Sequence, residues 1–302
     1  MARAVESLEL RYLDPAVIAR IGSMELRAKT IVEGFLAGLH RSPYKGFSIE
    51  FAEYRQYLPG DDLSTIDWKV YARSDRYYVK KYEQETNLEC HLLLDVSASM
   101  GYSSGPVSKM QYGSFVAAAL AYLIHKQRDS VGLMAFDERI MSMLHASSRP
   151  GHLTALLATL ASLSLGRRSD VSKPLHLLAE MLVKRGLVVV ISDLLDDPDR
   201  VITGLKHIRF KGSDVVVFHV LDRAELTFPF DGATRFADME SDEEVVAVPA
   251  TVREDYLSGM RGLIDRYERE LRVAGIDYQL LDTSQPLDFA LLAYLSTRER
   301  MY

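Results

Sequence analysis

Three oxygen-bearing side chains directly follow an apolar run in this chain. The run Leu92-Leu93-Leu94 leads into Asp95-Val96-Ser97-Ala98-Ser99. A buried strand that ends in a carboxylate and two hydroxyls, at alternate positions of a tight turn, directs three oxygens into one small volume. Oxygen-only ligation suits a hard divalent cation such as Mg²⁺ or Mn²⁺. We therefore interpret Asp95, Ser97 and Ser99 as the first loop of a single metal site.

Two further segments place oxygens near predicted strand ends. Ser169-Asp170 lies in the loop before a predicted helix, and Asp193 directly follows a predicted strand. In a doubly wound sheet, ligands bind where strands end and loops begin. Taken singly, such short polar residues are usually turn formers or helix caps. Their occurrence together, in this order, favours one metal site, and the alternative is a set of hydrogen-bonded caps without metal.

Strands and helices alternate from residue 88 onward. Apolar runs predict strands at 88–94, 130–136, 187–192, 214–221 and 276–281. Helical spacing predicts helices at 109–127, 153–162, 173–184, 198–208, 252–274 and 286–295. A short strand at 139–143 is expected to pair antiparallel with the strand before it. The pattern predicts an α/β fold with a doubly wound, mostly parallel sheet covered on both faces.

Composition and the pattern of predicted secondary structure divide the chain into two parts. Residues 1–86 predict an N-terminal extension, with a helix over 24–40 and short strands, which we expect to pack on the main domain. Residues 87–302 form the predicted α/β domain. Within it, about 226–249 lacks the helix expected after a strand and predicts an inserted β-hairpin.

The bulk numbers exclude several classes of protein. A net charge of −6 over 302 residues argues against general binding to nucleic acid or to anionic membranes. The single cysteine, Cys90, excludes an internal disulfide, fits a reducing cytosol and is expected to be buried and inert. The N-terminus has no apolar signal core, and no apolar run reaches the ~18 residues of a membrane span. We therefore expect a cytoplasmic protein.

The order of the three loops resembles the von Willebrand factor type A domain and its metal-ion-dependent adhesion site. Asp95, Ser97 and Ser99 match the D-x-S-x-S loop, Ser169 stands where the family usually has Thr, and Asp193 is the third-loop carboxylate. The resemblance implies that the hydroxyls bind the metal directly and that the carboxylates often bind it through water. A dication held mainly by neutral hydroxyls keeps an open position that attracts an acidic side chain of a partner.

A second resemblance covers nearly the whole chain. The string Gly46–Tyr57, then Pro59–Asp62, Ile66–Arg73 and Lys80–Glu85, placed just before the D-x-S-x-S strand, resembles the bacterial domain of unknown function 58. Members of that family are often encoded beside MoxR-type AAA+ ATPases and are thought to act as their type A domain partners. The resemblance implies that this chain binds such an ATPase or its client.

The leading hypothesis is thus a non-enzymatic interaction module that uses a divalent cation to bind an acidic partner residue. One alternative is a metal-dependent phosphate-ester hydrolase with Asp95 as nucleophile, although the first loop carries serines and no general base is evident. Another is a metal-free structural scaffold. Lys109, at a predicted helix start, is interpreted as a solvated residue.

Overall fold

The computed structural model describes residues 13–41, 54–56, 77–80, 88–166, 170–182, 184–241 and 243–300. The chain forms two compact units, one of Met1–Arg41 with Leu88–Tyr302 and the other of Ser42–Asn87. The predicted extension of residues 1–86 is therefore divided between the two units. In the second unit, β1 (Tyr54–Gln56) pairs antiparallel with β2 (Tyr78–Lys80).

The first unit is built on a six-stranded sheet. In chain order its strands are β3 (Glu89–Asp95), β4 (Ser130–Phe136), β5 (Ile140–Ser147), β6 (Leu187–Ser192) and β7 (Asp214–Leu221), then, after the separate hairpin β8 (Thr234–Ala237) and β9 (Glu244–Ala247), β10 (Asp277–Asp282). The described helices are α1 (Pro15–Ala19), α2 (Met24–Arg41), α3 (Lys109–Lys126), α4 (His152–Ser162), α5 (Ser172–Met181), α6 (Pro198–Phe210), α7 (Arg223–Thr227), α8 (Pro249–Val273) and α9 (Asp288–Arg300).

The strand order across the sheet is β10-β7-β6-β3-β4-β5, and all pairs are parallel except β4 with β5. Counted along the chain, the six strands read 3-2-1-4-5-6 from the β5 edge. The chain first adds β4 and β5 on one side of β3 and then adds β6, β7 and β10 on the other side. The carboxyl ends of β3 and β6 therefore form the topological switch point, where such sheets bind ligands. The predicted fold class is confirmed.

Helices cover both faces of the central strands, which explains their continuous apolar runs. Residues Leu92–Leu94 of β3 and Val188–Ile191 of β6 are fully buried. On one face, a Cβ at Gly113 of α3 would lie 3.0 Å from Leu94 Cδ1 and 3.1 Å from Ile191 Cγ2. Glycine at this position thus lets α3 pack closely against the two strands whose ends form the switch point.

The N-terminal helix α2 belongs to the same unit as the sheet. It packs against α3, α4 and α9, and its buried face carries Ile31, Val32 and Phe35. The guanidinium of Arg27 lies 5.1 Å from the centre of the Phe115 ring on α3. These contacts place α2 in the helical layer on the α3 side of the sheet.

Cys90 and the hairpin agree with the sequence. The Cys90 thiol is buried in β3, and burial raises its pKa. Strands β8 and β9 pair antiparallel, and Phe228, Phe230 and Phe236 form with Tyr256 an aromatic cluster between the hairpin and α8. The short helix α7, which precedes the hairpin, is an element that the sequence pattern did not predict. Over the described ranges, no helix combines the length and the apolar character needed to cross a membrane.

Candidate metal centre at the switch point

Asp95 is the last residue of β3, and its carboxylate joins the ends of β3 and β6. Its Oδ1 accepts a hydrogen bond from the Ser97 backbone nitrogen at 2.8 Å. Its Oδ2 accepts one from the Ser192 hydroxyl at 2.6 Å. The side chain is fully buried. Asp95 therefore fixes the first loop to the end of the neighbouring strand.

The hydroxyls of Ser97 and Ser99 lie side by side, with their Oγ atoms 3.1 Å apart. A 3₁₀ turn over Ala98–Gly101 produces this arrangement. In an octahedral Mg²⁺ shell with metal–oxygen distances of 2.0–2.1 Å, adjacent oxygens are about 3 Å apart. The hydroxyl pair thus has the spacing of two adjacent ligands of a hard dication.

Backbone hydrogen bonds hold the first loop from two sides. The Val96 nitrogen donates to the Phe136 carbonyl at the end of β4, at 2.8 Å, and the Gly166 nitrogen donates to the Val96 carbonyl at 2.6 Å. The segment that ends at Gly166 leads toward the predicted second loop. In this way the first loop is fixed by the strand on its other side and by the chain that follows α4.

The third loop begins with Asp193, which is fully buried after β6. The next residue, Leu194, has a left-handed backbone with φ of 51°, a conformation that costs a non-glycine residue about 1 kcal/mol. Two hydrogen bonds hold it there: its nitrogen donates to Ser192 Oγ at 3.0 Å, and Tyr267 donates its hydroxyl to the Leu194 carbonyl at 3.0 Å. Strain that is held by its surroundings is a common feature of functional loops.

His219 of β7 forms a hydrogen bond with the backbone of the same loop. Its Nε2 lies 2.7 Å from the Asp193 carbonyl oxygen, and its Nδ1 lies 2.7 Å from the Tyr278 hydroxyl. A carbonyl oxygen only accepts, so Nε2 carries the proton and Nδ1 accepts from Tyr278. Burial lowers the pKa of His219 to about 4. The ring is therefore neutral at pH 7 and acts as a fixed donor to the Asp193 backbone.

Lys109 lies in this site, which corrects its interpretation as a solvated residue. The side chain is fully buried at the start of α3. Its Nζ lies 2.8 Å from Asp193 Oδ2 and 2.7 Å from Glu225 Oε1. Burial alone would lower the pKa of Lys109, but the two carboxylates outweigh it and raise that pKa. Its burial depends on carboxylates from two distant segments of the chain, which the local sequence does not indicate.

Glu225 is a second residue of the site that the sequence pattern did not predict. It belongs to α7, where it forms a capping box with Asp222 by accepting from the Asp222 nitrogen at 2.7 Å. The Asp222 carboxylate accepts in turn from the backbone and hydroxyl of Ser104, and from the Thr283 hydroxyl at 3.2 Å. The loop after β7 is thus connected to the end of the first loop, and it supplies the site with a further carboxylate.

Charge at the site favours a cation. Burial, and then the negative charge of Asp193, raise the pKa of Asp95 from 3.8 to about 7. The carboxylates of Asp193 and Glu225 face the single ammonium of Lys109, and Asp193 also lies close enough to Asp95 to influence its titration. The described residues contain no group of three or more His, Cys, Asp or Glu side chains that could hold a metal. The donors present, a hydroxyl pair beside a carboxylate, fit a hard dication, while Asp193 Oδ2 already binds Lys109.

The structure brings Asp95, Ser97, Ser99 and Asp193 to one switch point, as their positions in the sequence predict. Ser169 lies outside the described residues. Its neighbour Asp170 binds Lys173 at 2.8 Å and Arg200 at 3.2 Å. Hydrogen bonds from Lys173 and Ser172 outweigh burial and lower its pKa to about 2. Asp170 is therefore an ion-paired carboxylate at the start of α5, and metal ligation by the five predicted residues stays a prediction.

The hairpin reaches the rim of the site. A Cβ built on Gly101, at the end of the first loop, would lie 3.4 Å from Met239 Cε in the turn between β8 and β9. The side chain of Leu165 also contacts this position. Both residues are exposed, Leu165 by 44% and Met239 by 45%. Apolar side chains thus flank the end of the first loop on the surface.

The chain is similar to several known proteins. An uncharacterized protein of Mycobacterium tuberculosis (strain ATCC 25618 / H37Rv) is 26% identical over 291 residues, or 95% of this chain and 91% of that protein. The crystal structure of an aerotolerance-related membrane protein from Bacteroides fragilis NCTC 9343 aligns with 17% identity and a TM-score of 0.49, over 70% of this chain and 99% of that one. The SpRpn10 VWA domain aligns with 12% identity and a TM-score of 0.36, over 68% of this chain and 94% of that domain.

The family assignment comes from the sequence between residues 53 and 262. This segment matches the family described as "Protein of unknown function DUF58". It spans the first loop, the third loop and the buried Lys109. The chain therefore belongs to the DUF58 family, with a doubly wound, mostly parallel α/β fold.

Proposed function

We propose that this chain is a non-enzymatic protein-interaction module that binds an acidic side chain of a partner protein through one Mg²⁺ or Mn²⁺. The observation that carries the proposal is the hydroxyl pair of Ser97 and Ser99, 3.1 Å apart beside the buried carboxylate of Asp95 at the switch point. Ser169 is the remaining predicted ligand, and Asp193, the fifth residue of the predicted set, is paired with Lys109. When bound, the dication supplies a positive charge with a coordination position open to a partner.

Charge supports the dependence on a cation. Asp193 and Glu225 carry two negative charges against the one ammonium of Lys109, which leaves an excess of negative charge beside the first loop that repels an acidic partner. A bound dication offsets that excess and attracts a carboxylate instead. Partner binding is therefore expected to require the metal rather than merely to be strengthened by it.

The partner in this proposal is a MoxR-type AAA+ ATPase or its client, acting in the cytoplasm. Membership of the DUF58 family supports it, because the resemblance to that family implies such an ATPase as partner. The exposed Leu165 and Met239 beside the end of the first loop offer apolar area that a protein partner could bury.

The geometry supports binding over phosphoryl transfer. A nucleophilic carboxylate needs an oxygen that a substrate can reach. Both oxygens of Asp95 accept hydrogen bonds within the protein, from Ser97 and Ser192, and the residue is fully buried. Asp95 is therefore poorly placed to attack a phosphate ester, and the hydrolase alternative has less support than the binding module.

The experiment measures binding of the purified MoxR-type ATPase from the same genome to the immobilised chain, in Mg²⁺ and then in chelator. We expect Ser97→Ala and Ser99→Ala to weaken binding at least about tenfold, a loss of 1.4 kcal/mol or more. Ser130→Ala is the matched control. Ser130 lies at the amino-terminal end of β4, about 20 Å from the carboxyl end of that strand, where the candidate metal centre lies. Wild-type binding that survives the chelator, or full binding by Ser97→Ala, would contradict the proposal.

A further inference from the structure

The candidate metal centre contains a cation of its own. The Lys109 ammonium lies 2.8 Å from Asp193 Oδ2 and 2.7 Å from Glu225 Oε1, and the lysine is fully buried. These residues come from three separate places: the start of α3, the loop after β6 and the helix α7. Nothing in the type A resemblance assigns a role to this lysine or to Glu225.

We propose that Lys109 keeps the third-loop carboxylate from ligating the metal, so that the chain alone binds divalent cations weakly and the partner's carboxylate completes the site. This inference rests on the proposed function. It deepens that function by making metal binding and partner binding interdependent. The metal supplies the positive charge that attracts the partner's carboxylate, and that carboxylate supplies the ligand that Asp193 does not provide.

The contacts of Asp193 are the first support. Its Oδ2 is held by Lys109, and its Oδ1 accepts from the Leu195 nitrogen at 3.3 Å. Both oxygens therefore have donors within the protein. Because a buried ion pair that loses one member leaves an uncompensated charge, Lys109 and Asp193 remain together unless something replaces the ammonium.

Electrostatics is the second support. A dication beside Ser97 and Ser99 experiences the positive charge of Lys109 as well as the negative charge of Asp193, and the two oppose each other. Asp95 is then the carboxylate that is left to attract the cation, and it already accepts two hydrogen bonds. An incoming partner carboxylate adds the negative charge that Lys109 has offset.

The alternative is that Lys109 only ties three loops together and has no influence on metal binding. The two roles make different predictions for a variant in which the charge is removed and the length of the side chain is kept. Lys109→Met is that variant. Lys126→Met, at the exposed end of the same helix and about 25 Å away along its axis, is the matched control.

The experiment titrates Mn²⁺ into the full chain by calorimetry and records the melting temperature with and without Mn²⁺. We expect Lys109→Met to bind Mn²⁺ at least about tenfold more tightly than wild type, because Asp193 and Glu225 lose their internal counter-charge. Mn²⁺ should also raise its melting temperature more than that of wild type or of Lys126→Met. A folded Lys109→Met protein that binds Mn²⁺ no more tightly than wild type overturns the inference.

A second variant keeps the test decisive if Lys109→Met does not fold without metal. Lys109→Met combined with Glu225→Gln removes one buried negative charge and leaves Asp193 free. It should still bind Mn²⁺ more tightly than wild type, and equal affinity would overturn the inference. Partner binding that needs Mn²⁺ while both variants bind Mn²⁺ like wild type rejects the role of Lys109 and leaves the proposed function standing. If the variants bind Mn²⁺ more tightly but no partner binds, the role of Lys109 in metal binding stands and the proposed function is rejected.

Discussion

Replacing Asp95 with Asn should stabilise the metal-free protein at alkaline pH. The carboxylate is fully buried, and burial together with the charge of Asp193 raises its pKa from 3.8 to about 7. Asparagine has nearly the same shape. Its Oδ1 is able to accept from the Ser97 nitrogen, and its amide is able to donate to Ser192 Oγ. The substitution therefore removes the charge while it keeps two hydrogen bonds.

The sign and size of the effect follow from proton linkage. Between pH 4 and 7 the folded wild type holds a proton on Asp95 that the unfolded chain has lost, so stability falls as pH rises through this window. A shift of about three pKa units at 1.36 kcal/mol each amounts to about 4 kcal/mol, lost in full above pH 7. Because the group is buried, solvent does not screen this cost.

The assay is urea unfolding followed by circular dichroism, in chelator, at several pH values between 4 and 8. Asp95→Asn should be more stable than wild type by up to about 4 kcal/mol at pH 8, with the difference close to zero at pH 4. Asp255→Asn, on the exposed surface of α8, serves as the control. A difference that does not change with pH, or a less stable Asp95→Asn protein at pH 8, would refute the reasoning.

Three further expectations concern stability in metal-free buffer. Burial lowers the pKa of His219 to about 4, so the neutral ring contributes its full share of the unfolding free energy above pH 6.5. That free energy should fall by about 3 kcal/mol as the pH falls to 4. The His219→Gln protein, unfolded in urea at the same pH values, should not show this decrease. Lys109→Met should cost about 3–5 kcal/mol in the same assay at pH 7, since it leaves buried carboxylates unpaired. Gly186→Ala should lower the melting temperature, because its Cβ would collide with the Glu89 carbonyl oxygen, whereas Gly259→Ala, with open space around it, should not.

The first loop was predictable because its signal is local. Parallel strands covered on both faces appear as continuous apolar runs, so the end of Leu92–Leu94 could be located, and with it Asp95. The spacing of Ser97 and Ser99 then follows from the turn. Asp193 was found in the same way, since it follows the apolar strand β6. The chain order of the strands made it possible to expect these residues at one edge of the sheet.

Lys109 and Glu225 could not be predicted because their partners are distant in the chain. The ammonium meets carboxylates that are 84 and 116 residues away. A lysine after a helix cap is usually solvated, and only the pairing across three loops makes its burial favourable. The Asp222–Glu225 capping box is visible in the sequence as D-x-x-E, but α7 has five residues and so produces no helical periodicity.

The state of Cys90 has a practical consequence for experiments. It is the only cysteine of the chain, it has no exposed surface, and its raised pKa keeps it protonated. Thiol reagents react with the exposed thiolate form. A single Met239→Cys substitution at the rim of the metal centre would therefore accept one fluorescent label without removal of the native cysteine, and that label would report when a partner arrives.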